Sequence, residues 1–148
     1  MNKIRLFTIG FTQKTAETFF KQLCERDVKR IIDIRLNNVS QLAGFAKRDD
    51  LRYFLKKICS IYYICIPALA PTKEIMDACK KDKKDWSLYE NRFLTLLSNR
   101  RIEERLLKDT LDGGCLLCSE DKPDRCHRRL VAEYLNDKWG KLEITHIL

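Results

Sequence analysis

The sequence predicts an α/β fold of three layers: helices on both faces of a mostly parallel sheet of about five strands. Two observations carry that reading. Short, β-branched apolar runs alternate with amphipathic stretches from one end of the chain to the other, the pattern of strand-helix-strand units. The 148 residues are also enough to bury one substantial core, so residues 1–148 are expected to form a single domain.

Each element has its own signal. IRLFTI, residues 4–9, reads as the first strand, and Thr15 caps a helix that spaces Ala16, Phe19, Phe20, Leu23 and Cys24 at helical intervals. VKRIIDIR, 28–35, is a second, buried strand whose end carries Asp33 and Arg35. LNNVSQLAGF is loop-like. Asp49 or Asp50 is expected to cap the next helix, with Leu51, Phe54, Leu55, Ile58 and Cys59 on one face, and IYYICI forms a third strand stopped by Pro67. A short helix over 72–80 precedes the charged connector KKDKKD. Ser87 and Glu90 then make a capping box, and the helical pattern runs to Leu111 with a break near Asn99. Asp112, Gly113 and Gly114 turn the chain into CLLC, a fourth strand. Leu130, Val131, Tyr134, Leu135 and Trp139 mark a last helix over 126–139; Gly140 ends it, and LEITHIL is the fifth strand.

Composition narrows the classes of partner. Twenty-nine Lys and Arg against 21 Asp and Glu leave a formal charge of +8, which favours nucleic acid, nucleotides or other phosphate-bearing ligands. The runs KKDKKD and NRRIEERLLKD interleave acidic residues and read as solvated faces, while Trp86, Tyr89 and Phe93 are spaced as core. Seven cysteines is an odd number, and Cys24, Cys59 and Cys79 lie on apolar stripes, where a reduced thiol acts as a small hydrophobe. A cytoplasmic location is the expectation. The first residues lack a signal-peptide pattern, and no run is long enough to span a bilayer, so no membrane partner is expected.

In open parallel sheets ligands bind beyond the carboxyl ends of the strands. That rule selects Gly10 to Thr12, Asp33 with Arg35, Ala68 to Thr72, and the segment from Cys118 to Arg128. The last supports several readings. Cys115, Cys118, Cys126 and His127 have zinc-type donor atoms, but residues three apart on a strand face opposite ways, and adjacent Cys126 and His127 are an awkward chelating pair. Neither metal nor cofactor is therefore expected. Alternatively Cys118 ends a strand and Cys126 opens a helix, whose unpaired amides and dipole lower a thiol's pKa. A third reading is packing, with Cys118 and Cys126 as buried bystanders; a fourth is a redox disulfide from Cys115 or Cys118 to Cys126. Asp33 and Arg35 are either a structural ion pair or part of the site.

Five blocks, in order, resemble the Domain of Unknown Function 488 family. They are TIG at 8–10, DIR at 33–35, Ser40 with Phe45, PAL at 67–69, and CSEDKPDRCHRRLVAEYL at 118–135. This chain has Phe11 where the family often has histidine, Asn38 where it has proline, and Ala70 and Pro71 where it has glycines. The resemblance implies one polar cluster made of Asp33, Arg35, Ser40, Cys118, Glu120, Cys126, His127 and Arg128, and supplies no activity. Chemistry suggests roles: Cys118 or Cys126 as nucleophile, His127 or Glu120 moving protons, Asp33 orienting a neighbour, and Arg35, Arg128 and Ser40 holding an anion. The expectation is a thiol-dependent hydrolase or transferase acting on a phosphate-bearing substrate; the alternative is a module that binds anions or nucleic acid without turnover.

Overall fold

The chain's structure, a computed structural model, describes residues 3–39, 44–81, 86–120, 123 and 126–148, with 78–81 described by backbone alone. Five strands form one sheet: β1 (Ile4–Gly10), β2 (Arg30–Asp33), β3 (Tyr62–Cys65), β4 (Gly114–Cys118) and β5 (Leu142–Ile147). Their order across the sheet is β3-β2-β4-β1-β5, and every pairing is parallel. β4 lies at the centre, all five of its residues buried, whereas edge strand β3 exposes Tyr62.

Helices cover both faces, because alternate strand residues point to opposite sides. On one face Phe7, Ile9, Ile31, Cys115 and Leu117 pack against α1 (Ala16–Glu25), α2 (Arg48–Phe54) and the turn that follows it through Phe19, Phe20, Leu23, Leu51 and Leu55. On the other, Leu6, Ile32 and Leu116 meet Phe93 and Leu97 of α4 (Trp86–Arg100) and Leu130, Val131 and Leu135 of α7 (His127–Trp139). Each fully buried Leu or Phe stabilises the fold by roughly 2 kcal/mol. α3 (Lys73–Lys81), α5 (Ile102–Arg105) and α6 (Lys108–Leu111) complete this second layer, which is why the fold is the expected three-layer α/β type.

Thr15 caps α1 as its sequence suggests, its side chain accepting from the Thr18 amide at 3.1 Å. Elsewhere the boundaries differ. Lys47, not Asp49 or Asp50, is the residue before α2; the two aspartates lie in its first turn, where their charge meets the helix dipole. Ser87 sits inside α4, not ahead of it. The break after α4 comes at Arg101, whose φ of 51° is left-handed. β2 is shorter than 28–35: Ile34 still bonds β4 through its amide, but Arg35 turns back on Asp33. Cys24 is exposed and Cys59 half-buried, and the two are joined as a disulfide across α1 and the turn after α2, a pairing their place on apolar stripes did not signal.

Candidate functional site

Asp33, the last residue of β2, is fully buried. A carboxylate in that position is tolerable only if its lone pairs are filled, and four donors fill them. Oδ1 accepts from the Arg35 amide at 3.1 Å and from Arg35 Nε at 2.9 Å; Oδ2 accepts from Arg35 Nη2 at 2.8 Å and from the Tyr63 hydroxyl at 2.5 Å. Burial, with the bond to Asp33, pushes the Tyr63 hydroxyl well above its ordinary pKa, so it stays a donor. The pair is thus the ion pair with each other that the sequence left open. It fixes the guanidinium, which also lies over the Phe11 ring at 5.3 Å, and leaves Arg35 Nη1 without a hydrogen-bond partner among the described residues.

The neighbouring strand brings the cysteines. Cys118 ends β4 and Cys126 is the residue before α7; both are buried, and their sulfurs are joined as a disulfide with Cα atoms 7.4 Å apart. Arg128, fully buried, reaches Cys118 Sγ through Nη1 at 3.4 Å, donates from the same nitrogen to the Glu120 carbonyl, and donates from Nε to Thr8 Oγ1 at 3.3 Å. Thr8 in turn meets His146 Nδ1 at 2.6 Å. His127 Nε2 lies 2.7 Å from the Ile34 carbonyl; a carbonyl only accepts, so Nε2 carries the proton and Nδ1 the lone pair. Burial is the main cause that lowers the His127 pKa, to about 4, so the ring is neutral at pH 7. Phe93 meets it edge-on at 5.5 Å.

The two strand ends meet at a cleft of about 380 Å³ lined by Arg35, Leu36, Asn37, Lys73, Met76, Asp77, Ser119 and His127. His127, which lines the cleft, has a ring nitrogen within 4.8 Å of the buried Cys118 and Cys126 sulfurs, so the sulfur pair adjoins the cleft wall. A larger hollow, about 840 Å³, lies between α1 and α2 against Phe20, Phe45, Phe54 and Ile58; it is mostly apolar and away from these groups. We take the polar cleft as the candidate site because charged and hydrogen-bonding groups converge there. A family model described as domain of unknown function DUF488 matches residues 15–135. The chain belongs to the DUF488 family. Neither the curated proteins nor the solved structures produced a match.

Within this DUF488 chain, Asp33, Arg35, Cys118, Cys126, His127 and Arg128 come together as one cluster, although the DIR and Cys-His-Arg segments are some ninety residues apart, as in the His127 to Ile34 bond that spans 93 positions. Glu120 contributes its carbonyl to Arg128 and has an exposed residue position, and Ser40 lies outside the described residues. Arg128, an expected anion ligand, donates from Nε and Nη1 to groups of the protein itself. Cys115 faces the other layer, as three-residue spacing on a strand requires. Cys126 and His127 do face together, contrary to the objection drawn from their adjacency: Cys126 is extended (φ −136°, ψ 142°) and His127 is the first helical residue, so the backbone turns between them. Tyr63 and Lys73 escaped the sequence reading, since one sits mid-strand and the other opens an ordinary amphipathic helix.

Proposed function

We propose that the protein is a thiol-dependent enzyme of the hydrolase or group-transfer class, acting on a phosphate-bearing substrate such as a nucleotide or a nucleic-acid end. The single observation supporting this most is the sulfur pair adjoining a cleft whose wall carries Arg35 and Lys73. In this reading the anion bridges Arg35 Nη1, Lys73 and Ser119, with Asp33 and Tyr63 holding Arg35 in place. Reduction frees the pair. Cys126 is then the nucleophile, its thiolate favoured by the N-terminal amides of α7, and Arg128 stabilises charge on Cys118. The His127 Nε2 proton is held on the Ile34 carbonyl, so Glu120, exposed beyond Ser119, is assigned the proton. The reading places the protein in the cytoplasm, where such a pair is kept reduced.

The test is alkylation of the reduced protein by iodoacetamide at pH 6.5, mapped by mass spectrometry. Cys126 is expected to react faster than free cysteine, and phosphate to slow it. Thiols that are all inert, or all ordinary in rate, would remove the nucleophile. One observation favours a non-catalytic alternative: both sulfurs are almost sealed, Cys118 at 0% and Cys126 at 3% exposure. A module that binds anions or nucleic acid through the same cleft predicts ligand binding with that inertness.

A further inference from the structure

We propose that reduced Cys118 and Cys126, together with Nδ1 of His127, form a site for a thiophilic divalent cation of the zinc class, with one coordination position open towards the cleft. A donor nitrogen of His127 and the two sulfurs all lie within 4.8 Å of one another. Two thiolates and one imidazole are a ligand set that zinc takes in three-ligand sites, leaving a fourth position for water or substrate.

Three further features fit an ion. His127 Nε2 donates to the Ile34 carbonyl, the outer contact by which a protein fixes the tautomer of a ligating histidine, so the lone pair is committed to Nδ1. The Cα atoms of the cysteines are 7.4 Å apart, wider than the roughly 4.4–6.8 Å usual for a disulfide. Two thiolates around one tetrahedral zinc have sulfurs about 3.8 Å apart, a spacing this wider backbone separation accommodates after reduction. Charge points the same way. Two buried thiolates are costly alone, whereas a dication between them makes a neutral unit, with Arg128 Nη1 as a donor to one sulfur. Binding releases the two thiol protons to solvent and changes no oxidation state.

The inference does not rest on the thiol-enzyme reading, since a sulfur that ligates an ion is not free to attack. The two are separable by experiment. Full-length protein reduced with a non-chelating phosphine under argon is titrated with Co²⁺, following the thiolate charge-transfer and ligand-field bands, then with Zn²⁺ against a chromophoric chelator. One equivalent should bind with a tetrahedral spectrum. Cys118→Ser and Cys126→Ser should each weaken binding by roughly 100-fold, and Cys65→Ser should leave it unchanged. As a readout that needs no variant to fold, Zn²⁺ on the wild type should protect Cys118 and Cys126 from alkylation after brief urea exposure, and not Cys65. Failure of reduced wild type to take up one equivalent, or uptake undiminished in either serine variant with native circular dichroism, overturns the site. Alkylation of metal-free protein reports on the enzyme reading alone.

Discussion

Gly10 shows how one residue can position the whole cluster. A Cβ there would stand 1.5 Å from the Glu120 carbonyl oxygen and 3.0 Å from Arg128 Nη1, so the segment after β4 crosses the end of β1 where only glycine leaves room. The Thr12 amide and hydroxyl, both bonded to the Ser119 carbonyl, hold the two segments together. Gly10→Ala should therefore force that loop and Arg128 outward and cost about 3 kcal/mol in urea unfolding. Wild-type stability in this variant would mean that the Cys118 loop does not lie over β1. The same scale explains what sequence reading could not see at Arg128. Its charge suggested an anion ligand; that the guanidinium is fully buried and donates to Thr8, Cys118 and the Glu120 carbonyl is visible only in the tertiary fold.

At the level of elements, two clasps lie outside the site and make separate predictions. Cys24 and Cys59 link α1 to the turn after α2 and close a loop of 35 residues, which restricts the unfolded chain by about 3–4 kcal/mol. Oxidised wild type should exceed Cys59→Ser by that amount in urea, and the difference should vanish with reductant; an equal difference in both conditions would show that Cys59 acts by packing. The second clasp joins α5 to α7: the Tyr134 hydroxyl donates to Glu103 Oε1 at 2.7 Å, and Trp139 Nε1 to the Glu103 carbonyl at 3.0 Å. The Tyr134 bond lowers the Glu103 pKa below its ordinary 4.5, so its contribution is present above that pH and lost as pH falls through the lowered value. Wild type should be more stable than Tyr134→Phe at pH 7, with the gap closing in acid; a gap independent of pH would assign it to packing. Neither clasp was legible in the sequence. Helical spacing identified the core residues Phe93, Leu130 and Leu135, but an exposed cysteine and a glutamate in the first turn of a short helix carry no periodic signal. Helix starts at Lys47 and Trp86 were misplaced because aspartates and serine suit a first turn as well as a cap.

For the molecule as a whole, the strand order explains why residues from distant segments share a cleft. The chain leaves β2 towards β3 at one edge and leaves β4 towards β5 at the other, so their connections diverge between adjacent strands and open a crevice at their carboxyl ends. The alternating pattern of the sequence pointed to the carboxyl ends of a parallel sheet and to Arg35 and His127, but neither the strand order nor Lys73 was legible in it, because Lys73 opens an ordinary amphipathic helix. The topology also separates two uses of the +8 charge. On the proposed reading, the crevice of about 380 Å³ takes a single phosphate-bearing group, whereas charge spread over the surface would hold a polymer. A nucleoside monophosphate at about 100 times its Kd should stabilise the protein by about 2.7 kcal/mol, raising Tm by roughly 5–10 °C. Lys73→Met is the variant of choice, because Lys73 is exposed, while removal of Arg35 would strand the Asp33 carboxylate in the core. The shift should fall several-fold in that variant at fixed ligand and survive moderate salt. If instead a single-stranded homopolymer binds equally well to wild type and Lys73→Met and is released steeply by salt, while the monophosphate leaves Tm unmoved, the charge serves the surface and the crevice is not the binding site.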